Sequence, residues 1–212
     1  MKERPILLNT EMVKASLKEK NPKTQTRRTN GLEVINKYSN DWRFLQTDSI
    51  NGEYVWQHRT DIKRVFVKEC PYGQVGDVLW VRETWSKLNS QYVYKADYNN
   101  GIPANEIELS DGSIIDYAKW KPSIHMPKEA CRIRLKIKSV RVERLSDISE
   151  QDAIAEGIEL IGSRWKQYLK TRLDKTVENP KYSYITLWES INGAMSWEKN
   201  PWVWVIEFEG IL

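Results

Sequence analysis

The sequence predicts an α+β domain: a mixed sheet curling into a small β-barrel, with short peripheral helices and loop insertions. Three observations carry this. From Cys131 to Lys138 apolar residues alternate with basic ones, Cys131, Ile133, Leu135 and Ile137 against Arg132, Arg134, Lys136 and Lys138. The phase slips at Ser139, so that Val140 and Val142 are the next apolar pair, and one extra residue flips a strand's facing as a β-bulge does. Residues 131–144 therefore read as one bent strand, the kind a small closed barrel uses. Near the end, Trp202, Trp204, Ile206 and Phe208 alternate with Val203, Val205 and Glu207, a last strand that closes the sheet. Between them Tyr184, Leu187, Trp188 and Ile191 share one helical face, and Gly193 ends that helix.

The remaining elements follow in chain order. Arg4–Leu8 reads as a short opening strand. Asn9 or Thr10 caps a helix carrying Glu11 at its positive end and Met12, Ala15 and Ser16 at helical spacing; Asn21-Pro22 ends it. Residues 23–28 look extended, and residues 31–68 read as an insertion of hairpins and loops. Pro71–Asp77 is a turn, and Val78–Trp85 is a buried strand that emerges polar at its end. Gln91–Lys95 is a strand and Asn99–Ser113 loop-like. The prolines in Trp120–Pro127 exclude a helix interior or a central strand. Ser149 caps a short helix, with Asp152 at the capping-box position and Gly157 as its stop. There is no internal repeat or low-complexity linker, so the 212 residues read as one domain with insertions at about 31–68 and 98–121.

Composition narrows the function classes. Mean hydropathy is −0.64, and no apolar run approaches the ~20 residues of a membrane span. The first residues have too short an apolar core for a secretory signal. Two cysteines make no disulfide framework, so a reducing cytoplasm is expected. Two distant histidines, His58 and His125, give no metal-ligand spacing, and no metal or cofactor is expected. A net charge of +4 permits a phosphate-bearing partner without demanding one. Ten tryptophans and ten tyrosines suit either large core positions or stacking on flat ligands.

Three segments carry reactive side chains. Alternation along residues 23–28 puts Thr24, Thr26 and Arg28 on one face and Lys23, Gln25 and Arg27 on the other. A lysine near a threonine hydroxyl can act as its base if burial lowers the amine's pKa; a basic surface turn is the plainer reading. Arg82-Glu83-Thr84-Trp85 ends a buried strand, where an Arg–Glu ion pair at a sheet edge explains it equally well. Glu156, beside Gly157 at a helix end, sits against the negative end of the dipole, a mild cost; lone glutamates are usually solvated.

Together these segments resemble the ASCH domain, of the PUA-like superfamily of small β-barrels. The pattern is carried by Lys23, Thr24, Thr26 and Arg28, by Gly76, Asp77, Leu79 and Val81, by Asp152, Glu156 and Gly157, and by Ile206, Glu207 and Phe208. The Arg82–Trp85 and Lys121–Pro127 segments also look like ASCH proteins encoded by bacteriophages and prophages, which would place the chain in a bacterial host's cytoplasm.

The resemblance implies a cleft beside the first helix and a nucleoside or nucleic-acid ligand, RNA favoured over DNA. It implies no membrane and no obligate protein partner. A bacterial ASCH member is an amidohydrolase that removes the acyl group of N4-acetylcytidine. Its Lys-Thr-Glu set falls on Lys23 as base, Thr26 as nucleophile and Glu156 as orienting group. Thr24, Arg28, Arg82, Glu83, Trp85, Lys121, Ser123 and His125 would line the substrate cleft. This chain is longer than that enzyme, and its added aromatic and basic residues suit a bulkier nucleotide or a polynucleotide. A non-catalytic reader of RNA or modified DNA, drawing on the basic face of residues 132–138, therefore stays open. So does a metal-independent ribonuclease using Lys23, Arg28 and His125, and so does a purely structural role for residues 23–28.

Overall fold

The structure, a computed structural model, describes residues 1–48, 52–88, 90–98, 106–108, 114–116, 120–169 and 175–211. Its elements are β1 (Glu3–Leu7), α1 (Thr10–Ser16), β2 (Gln25–Arg28), α2 (Glu33–Asn36), β3 (Trp42–Asp48), β4 (Glu53–His58), β5 (Val65–Glu69), β6 (Val78–Arg82), β7 (Trp85–Leu88) and β8 (Gln91–Tyr94). There follow β9 (Glu106–Glu108), β10 (Ile114–Asp116), β11 (Arg134–Arg144), α3 (Glu150–Ala155), β12 (Leu160–Ile161), β13 (Arg164–Lys166), β14 (Thr176–Val177), α4 (Pro180–Asn192) and β15 (Trp202–Ile211). The fold is mixed α and β, rich in sheet, with short helices. No described helix is long and apolar enough to cross a membrane.

The central sheet has the order β1-β6-β11-β15-β2, with β1 and β6 parallel and the other pairs antiparallel. Its spine is the β11–β15 pair. The ladder runs from Arg134↔Ile211 to Ile137↔Phe208, shifts register, and resumes at Ser139↔Glu207. The slip read from the alternation is thus a real bulge, with Lys138 as the extra residue. Leu135 and Ile137 face the core before it and Val140 and Val142 after it. Arg141 and Glu143 are thereby turned toward β2 and α3, where they meet acidic and basic partners.

The expected closed barrel does not form. Among the described residues β1 pairs only with β6 and β2 only with β15, so the sheet keeps two edges. The chain crosses between those edges through α1, which buries Met12, Val13 and Ala15. A side chain, not a backbone ladder, spans the seam: Arg28 Nη2 donates to the Leu7 carbonyl at 2.7 Å. The helix takes the room that strand pairing would need.

Residues 31–68 contain the expected hairpins, the antiparallel sheet β3-β4-β5; Tyr38 is exposed, but most of the strand aromatics turn inward. Trp42, Tyr54 and Trp56 belong to the main core. Trp56 packs on Trp202 and Trp204 at centroid distances of 6.3 and 5.9 Å, and Tyr54 packs on Trp204 at 4.8 Å. The Tyr54 hydroxyl donates to the Val140 carbonyl at 2.8 Å, just past the bulge.

Other boundaries differ from the sequence reading. Helix α1 stops at Ser16, before Asn21-Pro22. The Val78–Trp85 run is cut at Glu83-Thr84 into β6 and β7. Within the segment read as loop, Glu106–Glu108 pairs with Ile114–Asp116 as a hairpin; the rest of residues 99–113 lies outside the described residues. The three-stranded sheet β12-β13-β14 had no sequence signal, its strands being two or three residues long.

If residues 31–68 are a wall of the core, Trp56→Ala should lower the unfolding free energy by about 3–5 kcal/mol. A urea titration should show one transition reported alike by tryptophan fluorescence and far-UV circular dichroism. An unchanged midpoint, or a separate early transition, would show that this segment stands apart from the core.

Candidate active site

The site lies in the open seam. Asn9 caps α1, its side chain accepting from the Met12 amide at 2.8 Å. After the helix, the Lys23 amide donates to the Ala15 carbonyl at 3.0 Å, and the Thr24 amide to the Ala155 carbonyl at 2.9 Å. The Thr24 carbonyl accepts from the Phe208 amide at 2.8 Å. Residues 23 and 24 thus knit α1, the end of α3 and β15 together before β2 begins.

Helix α3 delivers the carboxylate. The Ser149 side chain accepts from the Asp152 amide, and the Asp152 side chain accepts from the Ser149 amide, a complete capping box. At the other end Glu156 is the C-cap and Gly157 turns the chain at φ +86°. A Cβ on Gly157 would stand 2.8 Å from Ala15 Cβ and 2.9 Å from Lys23 Cβ. Only glycine allows both the left-handed turn and this approach.

Lys23 and Glu156 are both buried and form a direct ion pair. Lys23 Nζ donates to Glu156 Oε2 at 2.7 Å and to the Glu156 carbonyl at 2.6 Å. Arg27 Nη1 donates to Oε1 of the same carboxylate at 3.2 Å, and the Tyr184 hydroxyl reaches it at 3.4 Å. Away from the cavity, Arg27 is held by Glu143 Oε1 at 2.6 Å from Nη2, and Gln25 bonds Asp152 at 2.9 Å. Arg141 joins this layer through Glu143, Glu207 and Asp152. Breaking a buried pair from one side typically costs about 3–5 kcal/mol, because the abandoned charge stays desolvated. The interlocked arrangement fixes β2, α3 and β11 relative to one another.

Burial pushes the Lys23 amine below its usual pKa; Glu156 pulls the other way, while Arg28 and Arg27 add to the lowering. Burial also drives the Tyr184 phenol well above its usual value, reinforced by Glu156. Burial works against the Arg27 charge, but Glu156, Tyr184 and Glu143 more than offset it. Of these three shifts only that of Lys23 favours loss of the proton. Because the folded amine titrates below its unfolded value, the unfolded chain binds that proton more tightly. Lys23's contribution to stability accordingly rises with pH from its folded pKa up to the usual lysine value of 10.5.

These groups open on a cavity of about 500 Å³. Lys23, Thr26, Arg27, Arg28 and Glu156 line it. One wall comes from α4 (Tyr184, Leu187, Trp188 and Ile191), with Met12 of α1; polar groups from Asn9, Thr10, Thr29, Asn30, Tyr72, Thr84 and Ser123 also line it. Of the sequence-predicted site residues, Lys23, Thr26, Glu156, Arg28 and Ser123 converge here.

The others lie outside the lining. Thr24 is exposed and engaged through its backbone. Arg82 stacks on Trp80 at 5.4 Å and bonds the Ile124 carbonyl. Glu83 is buried but taken by the Arg132 guanidinium at 2.8 and 2.9 Å, an ion pair with an arginine from outside its own segment. Trp85 belongs to a small cluster with Met126 and Ala130, and Lys121 Nζ sits 4.8 Å over its ring. His125 is an exposed residue of the short 3-10 turn Ser123–His125.

Sequence reasoning missed Arg27, Glu143 and the α4 wall. Strand alternation had placed Arg27 with Lys23 and Gln25, which was a usable signal. The partners on β11 and α4 are more than a hundred residues away in sequence, and only the fold brings them in. Among the described residues no group of His, Cys, Asp or Glu side chains is arranged to hold a metal ion. No protein-family model, no curated protein and no solved structure matches this chain.

Gly157→Ala should lower stability by about 1–3 kcal/mol through the strained φ alone, with the two Cβ clashes adding to it. Equilibrium urea unfolding measures this; an unchanged midpoint would mean that α3 does not depend on this approach to Lys23.

Proposed function

We propose that this chain is an ASCH-type, PUA-like protein that hydrolyses an acylated amino group on a modified, cytidine-like nucleoside. The observation that carries the reading is that Lys23, Thr26 and Glu156, far apart in sequence, line one cavity, with Lys23 buried and hydrogen-bonded to Glu156.

In this mechanism the fraction of Lys23 that has shed its proton is the base: the Thr26 hydroxyl attacks the acyl carbonyl while its proton passes to that amine. The C–N bond breaks, Lys23 returns the proton to the departing amino group, and the acyl group remains as an ester on Thr26. Water, deprotonated by Lys23 in turn, attacks the ester; the bond to Thr26 Oγ breaks, Lys23 returns the proton to that oxygen, and the acyl group leaves as a carboxylic acid. Glu156 holds the amine in place. Burial serves the chemistry directly, since an ordinary lysine is almost entirely protonated at neutral pH.

The features that suited a polynucleotide have other engagements. Arg132 is paired with Glu83 and Asp97, Lys138 with Glu209, and Arg134 lies 4.0 Å from Glu3. Six tryptophans, Trp42, Trp56, Trp85, Trp188, Trp202 and Trp204, are buried; of these Trp188 alone lines the cavity, and the other five are packed away from it. His125, which the ribonuclease reading needs, is not in the cavity lining. Cys70 and Cys131 are unpaired thiols, which suits the cytoplasmic setting of the proposal.

Incubation with N4-acylated cytidines, followed by mass spectrometry, should show loss of the acyl mass. Thr26→Ala should abolish it, and Lys23→Met should reduce it by about 10²–10⁴-fold, as loss of a general base does. kcat/KM should rise with pH as Lys23 loses its proton, levelling off below the usual lysine value of 10.5. Nucleoside binding should barely respond to salt, whereas contacts to several phosphates would weaken steeply. Full activity in either variant would overturn the mechanism; strong salt-dependent oligonucleotide binding without hydrolysis would favour the binding module.

A further inference from the structure

Arg27 follows Thr26 directly, yet its side chain is fully buried and turned away from solvent. It is held on several sides. Nε and Nη2 grip Glu143 Oε1 at 3.0 and 2.6 Å, Nη2 lies 3.3 Å from Asp152 Oδ2, and Nη1 donates to Gln25 Oε1 at 2.5 Å. From that anchored position Nη1 takes Glu156 Oε1 at 3.2 Å, leaving Oε2 to Lys23 at 2.7 Å. The ionisable groups facing Lys23 are thus Glu156 at the end of α3, Arg27 and Arg28 of β2, and Tyr184 of α4, whose phenol bonds Glu156.

We infer that Arg27 is a positioning residue of this site: by holding one oxygen of Glu156 it divides that carboxylate between two cations and loosens Lys23's hold on its own proton. The inference rests on the proposed function only in that it makes Lys23 the base; the division of the carboxylate is a matter of geometry. One carboxylate facing one ammonium would stabilise the protonated amine. Facing an ammonium and a guanidinium together it can do so for neither fully, and the guanidinium's fixed charge adds repulsion at short range. Arginine is suited to the task, because its planar fork bridges Glu156 and Glu143 at once and it does not lose its proton. A lysine at position 27 would have to serve both from a single nitrogen, without the fork that spaces the two contacts.

The test titrates Lys23 by NMR in the full-length protein, carrying ¹⁵N-labelled lysine, with Lys23→Met assigning the signal. Arg27→Gln should raise the Lys23 midpoint, and Arg27→Lys should raise it by less. The pH–rate profile on an N4-acylated cytidine should move to alkaline pH by the same amount, with KM little changed. An unmoved midpoint in folded Arg27→Gln would overturn the inference; if that chain does not fold, an unmoved midpoint in Arg27→Lys does so. The two readouts separate the claims. A raised midpoint in a protein that hydrolyses nothing sinks the proposed reaction and leaves the role of Arg27 standing. Hydrolysis with an unmoved midpoint does the reverse.

Discussion

The arrangement around the Glu156 carboxylate is the constraint on which the rest of this structure depends. Burying a carboxylate, an ammonium and a guanidinium together is tolerable only if each is paired and hydrogen-bonded, since desolvation otherwise outweighs their attraction. The chain meets that demand with parts of its whole length. Lys23 and Arg27 come from the first sheet edge, Glu143 from the strand beyond the bulge, Asp152 and Glu156 from α3, and Tyr184 from α4. The bulge turns Glu143 outward to meet Arg27 while Val140 and Val142 stay with the core, and Gly157 lets α3 come close enough for Glu156 to reach Lys23.

An open sheet makes room for this cluster. A ladder between β1 and β2 would fill the seam with backbone; instead α1 crosses it, Arg28 ties it with one side-chain hydrogen bond, and a cavity remains beside buried ionisable groups. Such a pocket, with polar and apolar lining and a perturbed amine, is where binding and catalysis are ordinarily found. The same seam brings the nucleophile candidate and the base candidate to one space although strict strand alternation had set Thr26 and Lys23 on opposite faces. Lys23 precedes the first residue of β2, so the alternation does not govern it.

Much of this was legible in the sequence, for local reasons. The strand read over 131–144, which begins at Arg134, and its bulge, the Ser149–Asp152 capping box, the Asn9 cap and the Gly193 stop all follow from periodicity or from a side chain satisfying a nearby backbone group. What was not legible depends on long-range packing. Periodicity cannot say that Trp42, Tyr54 and Trp56 fill the same core as Trp202 and Trp204. Nor can it say that Glu83 is spent on Arg132, or that a short strand such as β12 pairs at all. Lys23, Thr26 and Arg28, named from one compact run of sequence, and Glu156, named from a helix end, line one cavity; the cross-chain partners Glu143 and Tyr184 were not named.

The central claim is that Thr26 receives an acyl group in this cavity, and it can be tested by trapping that group. The protein would be mixed with an N4-acylated cytidine, quenched in acid during turnover, digested and mapped by tandem mass spectrometry. The account predicts the acyl mass on Thr26, its disappearance as substrate is exhausted, and no other modified residue. Sustained hydrolysis with Thr26 unmodified at every quench time, or with the acyl group on another side chain, would contradict it.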